Sequence, residues 1–512
     1  MSNRATSRVD WRNLPANWLV LVIAVVFAVF ALALLFTKRP FVDEAWFTGP
    51  ALDLVTRGRF GTLLLDPAGS FVRLNKPDAI LRGINDHTYW IMPLHFLQLA
   101  AWGKLFGFSV FSMRMPNVLW GGITLASIGS IVRRLYPGRW AALTAAAVLA
   151  VDFGFVGAAA DARMDMTCAA LGFAALAVYL WLREINFTRA VITAHVLAAI
   201  AMFTHPNGIF SSAALLLTML WFDRRRVRPL TMALIAVPYL LIGVFWAIYC
   251  LQYPADYIAQ ISASTAGRGS DLKAPWLGVW REVNGRFRNH FWPEAGAAGK
   301  LKLVGFIVYL TALGILASAR KLRQTSGCRL LLSLTLLQFL CLSVFANNKN
   351  TYYMVYILPY FAAAAGIAIS YLWSSCGFRV RVLCATVMVV YGVIQTAAVA
   401  NLCLVTSGYR KEYKPAVAYL KSTLLPDDLI MGGAELGYSL GFRNPQLVDD
   451  VWLGYWSGRR PTVVVVDRWY YGQVIAAATD HGIPTPGYFG ETLKNFRLVW
   501  DLNGYRIYRR IR

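Results

Sequence analysis

Trp18-Leu-Val-Leu-Val-Ile-Ala-Val-Val-Phe-Ala-Val-Phe-Ala-Leu-Ala-Leu-Leu-Phe36 runs for 19 residues without a charge. A helix needs about 20 consecutive apolar residues to cross the hydrocarbon core of a bilayer, so this stretch reads as a membrane span. It exceeds the apolar region of a secretory signal, and no small-residue cleavage pattern follows it. The rest of the chain agrees. Of its 512 residues 57% are apolar and the mean hydropathy is +0.49, too apolar for a soluble protein and long enough for many spans plus a domain.

The formal net charge of +24 would suit a nucleic-acid partner if it were concentrated on one domain. Instead the basic residues fall between apolar runs: Arg133, Arg134 and Arg139; Arg183 and Arg189; Arg224, Arg225, Arg226 and Arg228; Arg320, Lys321, Arg323 and Arg329; Arg379 and Arg381. Short basic loops held on the cytoplasmic side of a membrane give that pattern, and nucleic acid is not expected as a partner. With the N-terminus inside, eleven spans satisfy it: 18–36, 115–132, 140–158, 166–182, 190–204, 208–222, 230–250, 304–319, 330–346, 352–374 and 380–404. The run 89–106 is broken by Pro93, His95, Gln98 and Lys104 and reads as an amphipathic helix lying in the interface.

Two long loops, about 37–114 and 251–302, then lie outside. The expected fold is a polytopic α-helical membrane protein of about eleven transmembrane helices, residues 1–405, followed by an extracytoplasmic α/β domain, residues 406–512. In that tail 411–424 and 471–479 read as helices and 429–432 and 462–466 as strands. Residues 496–502 and 505–511 flank Asn503-Gly504, a strong hairpin signal. The alternation suggests a mixed sheet with helices packed on it. The seven cysteines include no Cys-x-x-Cys, so no disulfide framework or zinc site is indicated.

Chemistry is sought among the external acids. Asp43 and Glu44 follow the first span by a few residues, and Asp161 and Asp165 form a second cluster whose i, i+4 spacing would share a helix face. Each pair also has a structural explanation, as helix caps and first-turn acids that favour the macrodipole. External cations run against the positive-inside pattern and are fewer: Lys76, Arg163, Lys349 and the run Arg281, Arg286, Arg288 and His290. That run is interleaved with Trp276, Trp280, Phe287, Phe291 and Trp292, which suits either an anchor at the lipid headgroups or phosphate binding.

Taken together, several motifs resemble the GT-C glycosyltransferases. They are Asp43-Glu44-Ala-Trp-Phe, Lys76-Pro77, Tyr89-Trp90-x-x-Pro93-Leu94-His95-Phe96, Arg114-Met-Pro116, Asp161-Ala-Arg-Met-Asp165, and Lys349-x-x-Tyr352-Tyr353 before Leu358-Pro359. The similar branches are the lipid A aminoarabinose transferases and the protein O-mannosyltransferase-like enzymes, glycosyltransferase families 39 and 83. The resemblance implies a membrane enzyme that takes a sugar from a polyprenyl-phosphate donor and gives it to a hydroxyl of an envelope lipid, glycan or protein. It implies Asp43 as general base with Glu44 in support, Asp161 and Asp165 in the same catalytic cluster, and inversion by direct displacement. It also nominates Lys76, Arg163, Lys349, Tyr352 and Tyr353 for the donor phosphate. Some members of the superfamily bind a divalent metal through their acidic pairs. Here Asp43, Asp161 and Asp165 are the candidate ligands, and the cofactor stays open.

The expected location is the cytoplasmic membrane, multi-pass, with the tail extracytoplasmic. A transporter or flippase of a lipid-linked glycan would share the spans. It would be expected to carry broken helices or ionisable groups near the midplane, whereas almost none lie in the spans here and the acids sit at loops. A non-catalytic scaffold gives no reason for two external acidic clusters.

Overall fold

The computed structural model describes residues 17–511 except 75, 77, 266–270, 293–300, 347, 468–491 and 503. Helix α1 (Asn17–Thr37) leads to α2 (Val42–Arg57), and an irregular loop with one 3-10 turn (Phe71–Leu74) leads on to α3 (Pro93–Phe106). There follow α4 (Val110–Leu135), α5 (Arg139–Val151), α6 (Phe153–Ala159), α7 (Met164–Leu182), α8 (Phe187–Thr204), α9 (Gly208–Asp223), α10 (Pro229–Cys250) and α11 (Pro254–Thr265). After a short irregular helical stretch come α12 (Leu303–Ser318), α13 (Ser326–Phe345), α14 (Leu358–Ser375), α15 (Phe378–Ala400) and α16 (Lys414–Thr423).

By length and composition α1, α4, α7, α8, α10, α13 and the helix beginning at Phe378 can each cross a membrane. The bent pair α5 and α6 forms an eighth candidate, and α9 and α12 are shorter apolar helices. With α14, these occupy the eleven segments expected from sequence.

Two of those segments differ in detail. The expected span 140–158 is bent by 67° between α5 and α6. Asp152 sits at the bend, where its carboxylate accepts from the Phe155 N–H at 2.9 Å and from the Tyr309 and Tyr391 hydroxyls at 2.7 and 3.1 Å. A broken helix inside the bundle exposes backbone donors, and a buried side chain that satisfies them makes the bend affordable. The expected span 352–374 begins later than sequence suggested. Residues Thr351–Tyr356 form a 3-10 turn, and α14 starts at Leu358 with a proline in its first turn, where the missing N–H costs nothing. Its segment Ala362-Ala-Ala-Ala-Gly366 is buried all round, and a Cβ on Gly366 would collide with the Ala141 carbonyl of α5. Small residues let two helix backbones close on each other where lipid supplies no hydrophobic drive.

The run 89–106 is helical from Pro93 to Phe106, as α3, with Pro93, His95, Phe96, Leu99, Ala100 and Gly103 buried. The tail forms a five-stranded sheet from β1 (Ile430–Met431), β2 (Leu447–Val448), β3 (Val463–Asp467), β4 (Phe496–Leu502) and β5 (Tyr505–Arg510), in the order β2-β1-β3-β5-β4. β2, β1 and β3 run parallel, while β5 is antiparallel to β3 and to β4. The mixed sheet and the 496–511 hairpin were legible in sequence; the expected helix 471–479 lies outside the described residues.

The tail does not stand apart from the membrane part. Val42, Ala45, Trp46 and Phe47 of α2, Leu64, Leu65 and Val72 of the following loop, and Ala416, Ile430, Val463 and Ile507 of the tail belong to one apolar core. The backbone joins them too. Asp449 donates its N–H to the Leu64 carbonyl at 2.6 Å and accepts from the Asp66 N–H at 3.1 Å, and Val451 N–H donates to the Gly69 carbonyl at 3.2 Å.

Candidate active site

Glu44 and Asp43 lie in the first turn of α2, whose N-cap is Phe41. Glu44 is fully buried against Arg114 of α4, in a two-pronged ion pair with both contacts at 2.7 Å. Its oxygens also accept from the N–H groups of Phe41 and Ala162, at 2.9 and 2.8 Å. Burial would raise its carboxyl, but Arg114 and these hydrogen bonds hold it below the usual carboxylate range. The Arg114 fork goes on to donate to the Leu35, Lys38 and Arg39 carbonyls. Glu44 therefore ties together the end of α1, the start of α2, α4 and the loop before α7. This corrects its expected supporting catalytic role: both oxygens are engaged, and the group braces the site.

Asp43, one residue earlier, turns the other way. Its carboxylate pairs with the Arg163 guanidinium, whose Nε donates to Asp165 at 3.0 Å. The Arg163 plane lies 4.1 Å from the Tyr352 ring centroid. Burial would lower the pKa of this guanidinium, but Asp165 and the tyrosines nearby hold it above its ordinary value. Asn117 of α4 fixes the Arg163 backbone, its side-chain amide donating to the Arg163 carbonyl at 2.6 Å. Asp165 is buried, and its Oδ1 lies 3.9 Å from His205 Nε2. His205 is oriented by the Asn207 N–H, which donates to Nδ1 at 3.0 Å.

These groups face a cavity of about 430 Å³. Asp43, Arg163, His205, Asn207 and Tyr353 line it, as do Trp46, Phe71 and Trp90, with Asn348 and Asn350 beyond.

The remaining candidates are placed elsewhere. Asp161 pairs with Lys38 outside the lining; burial pushes its carboxyl up and Lys38 opposes that. Lys349 donates to the Leu342, Ser343 and Ala346 carbonyls at 3.2, 2.6 and 3.0 Å and lies 3.3 Å from Glu282. It thus caps the end of α13, where a cation meets the negative end of the helix dipole. That placement corrects the expectation of a phosphate ligand. Lys76 is half-buried and donates to Ser262 of α11 at 3.1 Å; the Ile261, Ser264 and Thr265 side of that helix lines the cavity. Tyr352 lies against Arg163 but is not part of the lining. Arg286 is fully buried within the protein, paired with Glu282, and donates to the Asn348 and Asn350 carbonyls at 3.0 Å each.

Asp43, Asp161 and Asp165 do not converge as a ligand set, since Asp161 turns to Lys38 while the other two share Arg163. Among the described residues no three His, Cys, Asp or Glu side chains are grouped to hold a metal ion. The sequence points to Arg114 only as part of a motif, and nothing in its pattern singles out His205. An arginine inside an otherwise apolar helix was the available signal for the first, since such a charge must find a buried partner.

Residues 86–249 match the family model for dolichyl-phosphate-mannose-protein mannosyltransferases. No curated protein matches the chain in sequence search. Among solved structures, ArnT from Cupriavidus metallidurans bound to undecaprenyl phosphate superposes with a TM-score of 0.61 at 15% identity, over 97% of this chain and 99% of that one. AglB, the oligosaccharyltransferase of Archaeoglobus fulgidus, in complex with an inhibitory peptide and a dolichol-phosphate, superposes with a TM-score of 0.55 at 11% identity, over 97% and 74% of the two chains. Likeness at this level of identity establishes a shared fold with ArnT and AglB.

Proposed function

We propose that this chain, built on the GT-C glycosyltransferase fold, moves a sugar from a polyprenyl-phosphate carrier to a hydroxyl of an envelope lipid, glycan or protein. The observation that carries this reading is the pairing of Asp43 with Arg163 at the wall of the cavity. A hydroxyl is a poor nucleophile and needs a base within hydrogen-bond reach, which a partly exposed carboxylate supplies. The departing group is a lipid phosphate, and its developing charge is stabilised by a fixed cation in a partly dry site. Arg163 is held by Asp165 through Nε and by Asp43 through Nη1 while it lines the cavity, and its planar guanidinium has the geometry that suits a phosphate.

In this reading Asp43 takes the acceptor proton as the oxygen attacks the anomeric carbon. The bond to the phosphate breaks on the opposite side, the electron pair leaves with the phosphate beside Arg163, and the configuration inverts. ArnT and AglB, the solved structures of similar fold, hold undecaprenyl phosphate and dolichol-phosphate respectively, which supports a donor of this class. The volume suits one phosphate and one or two sugar rings, since ligand sites run from about 300 to 1,000 Å³. Basic loops between the spans support a cytoplasmic-membrane location with the N-terminus inside and the cavity and tail outside.

The test is transfer of radiolabel from a panel of polyprenyl-phosphate sugars in membranes, wild type against Asp43→Asn at equal expression. Transfer by the wild type and a fall of about 10²–10⁴ in the variant are expected for loss of a general base. Full activity in Asp43→Asn would remove the assignment, and no transfer from any donor would remove the reading.

A further inference from the structure

The cavity lining has two chemically unlike sets of residues. One is aromatic: Trp46 stacks on Phe71, with ring centroids 4.5 Å apart and planes 14° apart, and Trp90 lies 5.7 Å from both. Trp46 is buried, while Phe71 and Trp90 are partly exposed to the cavity. Trp90 makes no hydrogen bond among the described residues. Its indole N–H is therefore available beside an aromatic face.

The lining also includes Asn207, Asn348 and Asn350. Asn207 Nδ2 is buried without a hydrogen-bond partner, and such a donor costs free energy until a ligand satisfies it. Lipid chains have no use for these amides, and a bare phosphate has none for the aromatic set. An object with one face of C–H groups and an edge of hydroxyls satisfies both, because polarised C–H groups sit on the electron-rich ring face and hydroxyls bond the amides.

We infer that Trp90 and Phe71, backed by Trp46, form a stacking subsite for a pyranose ring, with the Asn207 amide of the same cavity as a hydroxyl partner. This rests on the transferase reading for its biological role but not for its physics. The wall is held from the tail. Trp46 Nε1 donates to Asp449 at 2.9 Å, and the Trp452 indole donates to the Ser70 carbonyl, next to Phe71, at 3.0 Å.

The test is saturation-transfer NMR on the full-length purified protein with methyl β-D-glucopyranoside and methyl α-D-mannopyranoside. Wild type is expected to give strongest transfer to the protons of one ring face. Trp90→Ala should weaken binding about two- to tenfold, the range of one aromatic contact, and Trp90→Phe should recover most of it. Asn207→Ala should weaken binding while leaving the ring-face pattern. No saturation transfer from either glycoside, or equal binding in wild type and Trp90→Phe and Trp90→Ala, would overturn the subsite. A second arm adds a polyprenyl-phosphate sugar. Displacement of the bound glycoside places the donor's sugar on this wall, and retention places the acceptor's; either presupposes the binding read in the first arm and so supports it. The measurement needs no turnover, so its failure and the failure of the Asp43 experiment are separable.

Discussion

Asp43 keeps 22% of its side chain exposed while Glu44 beside it keeps none. Successive residues on a helix point about 100° apart, so one carboxylate meets the cavity and the other meets Arg114. The consequences of neutralising them differ. Glu44→Gln leaves the Arg114 guanidinium buried with half its partner gone, a defect that typically costs about 3–5 kcal/mol. A marked fall in the unfolding temperature of the detergent-purified protein is the expected result, and an unchanged temperature would contradict the bracing role. Asp43→Asn is expected to leave that temperature nearly unchanged and to lose transfer. The motif that holds both residues was visible in sequence. Their division of labour was not, because it depends on Arg114, which lies in a helix two elements away.

At the scale of elements, α2 and the loop after it are built against the tail. Asp66 pairs with Arg459 at 2.9 Å, the backbone at 64–69 bonds to 449–451, and Trp452 reaches Ser70. The approach is closest at Gly69, where a Cβ would fall well inside contact distance of the Asp450 carboxylate. That carboxylate cannot swing aside cheaply, since it is fully buried and accepts from the Trp452 N–H and the Ser457 hydroxyl. Gly69→Ala should therefore prise the loop from the tail at a cost of about 1–3 kcal/mol. Limited proteolysis is expected to cut within 59–92 faster in this variant than in wild type, and identical cleavage kinetics would argue against the docking. Strands and spans were legible because apolar periodicity is local. The pairing of residues 64–70 with residues 449–459 was not, because a loop without periodicity carries no record of its partner.

For the molecule as a whole, the tail contact buries two acids. Burial raises Glu435 to about 8, aided by Asp467 and opposed by Arg39, and raises Asp449 to about 7 despite the Trp46 hydrogen bond. A carboxyl whose pKa is raised by folding binds its proton more tightly in the native state. Its contribution to stability is fully present below the unfolded value near 4 and is lost as pH rises through the folded value. The core shared by the tail and α2 should consequently loosen between about pH 5 and 8. Thermal unfolding followed across pH 5 to 9 is expected to fall with rising pH, and Glu435→Gln should flatten the curve. A profile that rises with pH would refute the assignment of these two groups.

The sequence by itself determined the membrane class, the approximate position of every span, the mixed sheet of the tail and the motifs near which chemistry is sought. These follow from run length, periodicity and charge placement, which are local properties of the chain. The tertiary structure alone decided that Arg163, not Lys349, presents its charge to the cavity, that Glu44 braces, that the span at 140–158 bends at Asp152, and that the tail supports an aromatic wall through Asp449. Each of these depends on which buried group finds which partner across tens or hundreds of residues. Burial makes such choices costly to leave unmet, so they are settled when the elements pack together.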